Sequence, residues 1–225
     1  MMSKLAIYME YIFGLYKSLY VNFKCLPFSQ AVKLPIFISH RVKLSSVRGK
    51  IILKAPHIQT GMIKIGFGYV GIFDRYRSRS VLENNGTVVF GGGGINIGHG
   101  CKLAISEGAS LYIGNNFSIT AETQIWAKKS IKFGDNVLIS WQCLIMDTDA
   151  HKIYIDGQRA NEDADIRIDN NVWIGCRTTI LKGVHIPSGC IVGANSNVIA
   201  SCSEENCILA GNPASVVKKQ VTWKA

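Results

Sequence analysis

The side chains best suited to chemistry in this 225-residue chain gather in one polar run, Asp147 to Arg167. Asp147, Asp149, His151, Lys152, Asp156, Arg159, Glu162, Asp163, Asp165 and Arg167 carry too much charge for a core, so the run is expected to protrude as an arm or flap. His151 is the residue in it that suits proton transfer, because an imidazole titrates near neutrality. Asp149, two residues earlier, either orients that imidazole and offsets its charge or caps a corner of the backbone. The bland alternative for His151 is a solvated loop histidine. His40, His57, His99 and His185 are scattered without a close pair, so no metal site is expected. Seven cysteines are an odd number with no Cys-x-x-Cys pair, which argues against a disulfide framework or a zinc site.

The element that would hold His151 is a repeat. Large aliphatics stand six residues apart at Ile168, Ile174, Ile180, Ile186, Val192 and Val198. The same step runs through Ile113, Ile119 and Ile125, and through Phe133, Ile139 and Ile145, with an eight-residue step between the two sets. Ile97–Leu103 and Ile105–Leu111 keep it too, whereas residues 51–95 show it only loosely. A period of six is neither 3.6 nor 2, so amphipathic helices and plain hairpin sheets are excluded. Short strands joined by turns, three to a coil, fit it, with the aliphatics stacked in a continuous core. Small side chains four residues after the aliphatic fill the corners, which explains Cys101, Cys143, Cys190 and Cys202. Glycine follows the aliphatic at Gly98, Gly114, Gly134, Gly175 and Gly193, where it is expected to supply turns with positive φ. The polar run lies between Ile145 and Ile168, so His151 sits where the chain leaves a coil fixed by packing.

The recurring Ile-Gly-x-x-[small]-x resembles the hexapeptide-repeat acyltransferase family. The match is most specific at Asp169-Asn170-Asn171-Val172-Trp173-Ile174-Gly175 and at Ala210-Gly211-Asn212-Pro213-Ala214. The resemblance implies an all-β fold, a left-handed parallel β-helix; the general rule for β-crossovers would give the opposite hand. It also implies acyl transfer from a thioester. Met146-Asp147-Thr148-Asp149-Ala150-His151 is similar to the segment carrying the family's catalytic histidine, so His151 is expected to deprotonate the acceptor. Cys176 stands where sugar acetyltransferases of the family often have serine, and a thiol is a weak oxyanion donor. Glu122 stands where they commonly have asparagine on the acceptor side, and Trp173 either walls the pocket or lies flat on the coil. Acetyl-CoA is expected beside Gly193, Ala194, Ala210 and Gly211, with Lys218 and Lys219 near its phosphates. The groove would be shared between subunits of a homotrimer.

The chain then divides into an N-terminal helical segment over 1–50, the coil over 51–210 with its excursion at 147–167, and a tail over 211–225. Hydrophobic residues make up 48% and charged residues 18% of the chain, which excludes disorder. Most of the net charge of +10 lies early: residues 1–54 hold nine lysines and arginines against the single acid Glu10. Leu5, Tyr8, Ile12, Leu15 and Leu19 predict a helix over residues 3–19. Glu10 and Lys17 interrupt it too soon for a membrane span. Its aromatic and basic residues suit either an anionic membrane surface or a cap on the β-helix. The run from Asn22 to Ile36 resembles the lead-in of polysaccharide and lipopolysaccharide O-acetyltransferases. The expected function is acetyl transfer from acetyl-CoA to a hydroxyl of a cell-surface glycan (capsule, O-antigen or exopolysaccharide) or its precursor. N-acetylation of an amino sugar or sugar nucleotide is the alternative, and a non-catalytic coil a distant one. A cytoplasmic protein, peripheral at the inner membrane face and without a nucleic-acid partner, is expected.

Overall fold

Residues six apart in the sequence fall on successive flat faces of a three-sided coil, and each stacks on its counterpart one coil away. The computed structural model describes residues 4–74 and 76–224, with helix side chains from Tyr8 onward. Face A is a nine-stranded sheet that begins at Ile36–Ile38 and ends at Ile208–Gly211 and Ala214–Lys218. Face B has seven strands, from Lys43–Val47 to Asn197–Val198, and face C six, from Lys50–Leu53 to His185–Ile186. The chain visits A, B and C in turn, and all pairings between coils are parallel except that of the last strand, which folds back antiparallel on Ile208–Gly211.

Register turns the six-residue period into columns. Ile97, Ile119, Ile139, Ile174, Val192 and Leu209 stack on face A. Leu103, Ile125, Ile145, Ile180 and Val198 do so on face B. Face C stacks Phe90, Ile113, Phe133, Ile168 and Ile186. All of these are buried, and each full burial contributes about 1.5–3 kcal/mol. Phe117 and Phe133 fill the bore with ring centroids 5.0 Å apart. Cys101, Cys143, Cys190 and Cys202 are buried corner residues, as expected.

The glycines act otherwise than the sequence suggests. Gly98, Gly114, Gly134, Gly175 and Gly193 are not among the positive-φ residues; Asn116, Asn136, Asn171, Glu122, Gln142, Arg177 and Asn195 are. What Gly98 supplies is absence of bulk, since a Cβ there would overlap the Thr120 carbonyl of the next coil. Asparagine takes the left-handed turns because its amide can bond its neighbours. Asn116 donates to Asn136 at 2.8 Å and Asn136 to Asn171 at 3.1 Å, a ladder along the turn from C to A.

The coil starts earlier than the pattern shows, because strands Ile36–Ile38 and Lys43–Val47 lie within the segment 1–50. The loosely patterned residues 51–95 also form coils, interrupted by an excursion over residues 68–80 at the turn from A to B. Helix α1 runs Lys4–Cys25, longer than expected; residue 3 and the Leu5 side chain lie outside the described residues. Short helix α2, Phe28–Ala31, leads into the first strand.

Helix α1 covers the open edge of that first strand with polar side chains. Asn22 Nδ2 donates to the Ile36 carbonyl at 2.7 Å and its Oδ1 accepts from the Ile36 N–H at 3.2 Å. Ser18 Oγ accepts from the Ile38 N–H at 2.9 Å. Lys17 Nζ donates to the His40 and Val42 carbonyls, both at 2.6 Å. Backbone groups with no preceding coil thus find partners on the helix.

Candidate active site

The excursion of face B positions His151. Strand Leu144–Met146 ends at Asp147, which the sequence places in the protruding polar run but which is buried. Its carboxylate accepts from the backbone N–H groups of Lys128 at 2.7 Å and Lys129 at 2.9 Å, in the coil below. Burial pushes this carboxyl above the usual range against the pull of those amide donors. Asp147 therefore anchors the root of the loop. The chain then turns through Ala150 at φ 63°, and the His151 N–H donates to the Asp149 carbonyl at 2.7 Å.

Asn161 ties the outgoing and returning strands of the loop together. Its Nδ2 donates to the His151 carbonyl and to Asp149 Oδ2, each at 2.8 Å, while its Oδ1 accepts from the Ile153 N–H at 2.6 Å. Lys182 Nζ meets Asp149 Oδ2 at 2.6 Å and reaches the Glu162 carbonyl at 3.1 Å. The Lys182 ammonium and the Asn161 amide hold the Asp149 carboxyl below its usual range. Asp149 thus spends its carboxylate on Lys182 and Asn161 and acts as a brace of the loop. The result is a histidine with a backbone fixed on both sides and an exposed side chain. Beyond it the arm is a hairpin, Tyr154–Ile155 with Gln158–Arg159, whose tip exposes Ile153, Tyr154 and Ile155.

The other expected site residues gather on the far side of face B, at the turn from A to B. Glu122 is half-buried there at φ 49°, and accepts from Gln142 Nε2 at 3.4 Å. Arg177 Nε in turn donates to Gln142 Oε1 at 3.2 Å. Half-buried Cys176 stands beside Arg177, and its carbonyl accepts from the Asn195 N–H at 2.9 Å. Above it the surface is a ledge of small residues. A Cβ on Gly175 would lie 2.7 Å from the Ala194 nitrogen, and one on Gly193 would lie 3.1 Å from the Ala210 Cβ. Ala210 and Gly211 end their strand and pair with Ser215 and Ala214. Lys218 is exposed on the returning strand, and Lys219 forms a surface ion pair with Glu204 at 2.8 Å.

Trp173 lies apart from both groups, at the opposite side of face A. Its Nε1 donates to Ser140 Oγ at 3.2 Å, and its ring packs against Trp223 with centroids 6.1 Å apart. Trp223 Nε1 donates to the Asn171 carbonyl at 2.8 Å, so the tail doubles back across the coil over residues 214–223. One chain therefore carries the site residues on separate turns: His151 and Asp149 on one side of face B, Glu122, Cys176, Gly193, Ala194, Ala210 and Gly211 on the other. Asp147, Asn161, Lys182 and Trp223 were not singled out as site residues from the sequence. No short-range pattern marks Asn161 or Lys182, whose side-chain partners lie 8 to 33 residues away in the chain.

No family model matches the chain. It is 26% identical to an uncharacterized 24.8 kDa protein in the cps region of Klebsiella pneumoniae, over 91% of this chain and 88% of that one. It is 28% identical to the putative lipopolysaccharide biosynthesis O-acetyl transferase WbbJ of Escherichia coli K12, over 61% of this chain and 74% of that one. Further matches to acetyltransferases span about half the length of the relative. The chain is similar to O-acetyltransferases of the hexapeptide-repeat family. Among solved structures, AntD, an N-acyltransferase from Bacillus cereus, superposes with a TM-score of 0.50 at 18% identity, covering 82% of this chain and 81% of that one. That likeness shows the fold, the left-handed parallel β-helix.

Proposed function

We propose that this protein transfers acetyl from acetyl-CoA to a hydroxyl of a cell-surface glycan (capsule, O-antigen or exopolysaccharide) or of its precursor. The observation that carries the reading is the exposed His151 side chain on a backbone held by Asp149 and Asn161. In this reading the imidazole takes the acceptor hydroxyl proton as the oxygen attacks the thioester carbonyl. The tetrahedral intermediate collapses with cleavage of the C–S bond, and the imidazolium returns the proton to the departing sulfur. The products are the acetyl ester and the free thiol of coenzyme A. The oxyanion needs N–H donors at that point, because Cys176 offers only a weak thiol.

The small-residue ledge at Gly193, Ala194, Ala210 and Gly211 suits the slender pantetheine arm, because its own side chains are no larger than a methyl group. In this reading Lys218 and Lys219 meet the phosphates, Lys219 by exchanging its Glu204 partner. The separation of His151 from this ledge by the width of face B supports a site completed between copies, with the His151 loop of one against the ledge of another. A homotrimer closes such contacts with three equivalent sites. Glu122 supports a second acceptor, an amino sugar whose ammonium the carboxylate would hold before its proton is lost.

The test is thiol release from acetyl-CoA with matched hydroxyl and amino acceptors, in the parent protein and in His151→Ala. Unchanged turnover in His151→Ala would end the proposed mechanism. A preference for the amine would move the assignment to N-acetylation. A monomer active at high dilution would contradict the shared site.

A further inference from the structure

Helix α1 buries its polar side and exposes its apolar one, the reverse of an ordinary surface helix. Glu10, Gly14, Ser18 and Asn22 form the buried stripe. Tyr8, Ile12, Leu15, Tyr16, Leu19 and Phe23 stand on the other side, with Ile12 and Tyr16 each 63% exposed. The helix cannot roll to hide them. A Cβ in place of Gly14's hydrogen would overlap the Ile38 carbonyl, and Ser18 and Asn22 are bonded to the same strand. A contiguous apolar row of this size, fixed outward, marks an interaction surface.

The charge around the row selects its partner. No acid occurs between residues 11 and 73, and the one before it, Glu10, is buried and accepts from Ser39 Oγ at 3.0 Å. Lys24 on α1, Lys33 after α2, and Lys43, Arg48, Lys50 and Lys54 on the first coil are all exposed. Helix and first coil form one end of the β-helix, so this end presents aromatic and aliphatic side chains among lysines and arginines, with the exposed acids Glu83 and Glu107 of the following coils in the groove beside Arg48. Two copies meeting end to end would oppose those cations, which disfavours self-association there. The row also holds tyrosines, whose rings suit the boundary between headgroup and acyl chain. Among the described residues no helix is long and apolar enough to cross a membrane.

We propose that α1 lies in the plane of an anionic bilayer, with its apolar row in the interface and the surrounding lysines and arginine on lipid phosphates. The β-helix then stands upright on the surface. His151 leaves the fifth strand of face B, four rungs of ~4.8 Å from the first, or roughly 19 Å up the coil. That height would suit a glycan carried on a lipid; this last step alone rests on the proposed function, and vesicle binding tests the surface without any acetyl transfer.

The experiment is co-sedimentation of the full chain with phosphatidylcholine vesicles, with and without phosphatidylglycerol. Binding is expected only to the anionic vesicles, and to weaken as salt is raised. Combining Ile12→Ser, Tyr16→Ser and Phe23→Ser should weaken it at least about tenfold, because the buried apolar area is lost, while the melting temperature stays put. Lys24→Glu with Lys33→Glu should weaken it too, which keeps the test sound if the first variant misfolds. Failure to bind anionic vesicles, equal binding to neutral ones, or undiminished binding by both variants would overturn the proposal. So would an oligomer that the apolar-face variant dissolves while vesicles remain unbound.

Discussion

Replacing Asn22 by leucine tests whether the polar side of α1 holds the coil closed. Asn22 is fully buried and makes three hydrogen bonds, two of them to the N–H and carbonyl of Ile36, itself fully buried. Asn22→Leu keeps the approximate volume and leaves those two backbone groups without partners. Each orphaned buried group costs about 1–3 kcal/mol, so the pair costs about 2–6. The added apolar burial returns about 2 kcal/mol at most. A net loss of roughly 2 kcal/mol corresponds to a fall in melting temperature of about 4–8 °C for a chain of this size. Ile12→Ser, on the exposed side, should change stability by no more than about 0.5 kcal/mol. Thermal denaturation gives the global effect, and amide hydrogen exchange locates it. Exchange at Ile36 should speed in Asn22→Leu, whereas the Ile38 amide keeps its Ser18 partner. If Asn22→Leu melts at or above the parent while Ile12→Ser destabilises, the helix is seated the other way round and the reasoning is wrong.

Other predictions follow from the loop and the core. His151→Ala should lower acetyl transfer by about 10²–10⁴-fold, the usual contribution of a general base, with little change in melting temperature because the side chain is exposed. Lys182→Ala should loosen the His151 loop, seen as faster exchange or proteolysis over 148–165. Asp149 is held low by Lys182 and Asn161. Its folded pKa lies below the unfolded one, so its contribution is present above the ordinary carboxylate range. That contribution is lost as pH falls through the depressed value, and proteolysis of the loop at acid pH should show it. Burial pushes the Cys101 and Cys143 thiols up to about 12 and about 11. Half-buried Cys176 should therefore be alkylated well before either, as read by peptide mass spectrometry.

The sequence carries the columns of this fold because stacking identical registers demands the same residue type every six positions. Ile174 lies between Ile139 and Val192 for that reason, and any shift would place an aliphatic in water. Where the demand is steric rather than apolar, the sequence misleads: Gly98 looks like a turn residue but is there because the next coil's carbonyl comes too close. The root of the His151 loop is hidden for a related reason. Asp147 reads as one charge among ten, yet it is buried because two backbone N–H groups at Lys128 and Lys129 need an acceptor, and those groups are 18 and 19 residues away.

Helix α1 gives the sharpest form of this lesson. The spacing of Tyr8, Ile12, Leu15 and Leu19 does mark one side of a helix, and ordinarily the apolar side packs inward. Here the surface to be covered is a strand edge, which presents N–H and carbonyl groups and requires polar partners. Ser18 and Asn22 therefore win the inward side, and the apolar residues are left outward by geometry rather than by their own preference. Such an arrangement keeps an exposed apolar row only if something repays its contact with water. The proposed partner, a negatively charged sheet of lipid, would meet both demands, whereas a neutral apolar partner would leave the cations, and an acidic one the aromatic rings, without use.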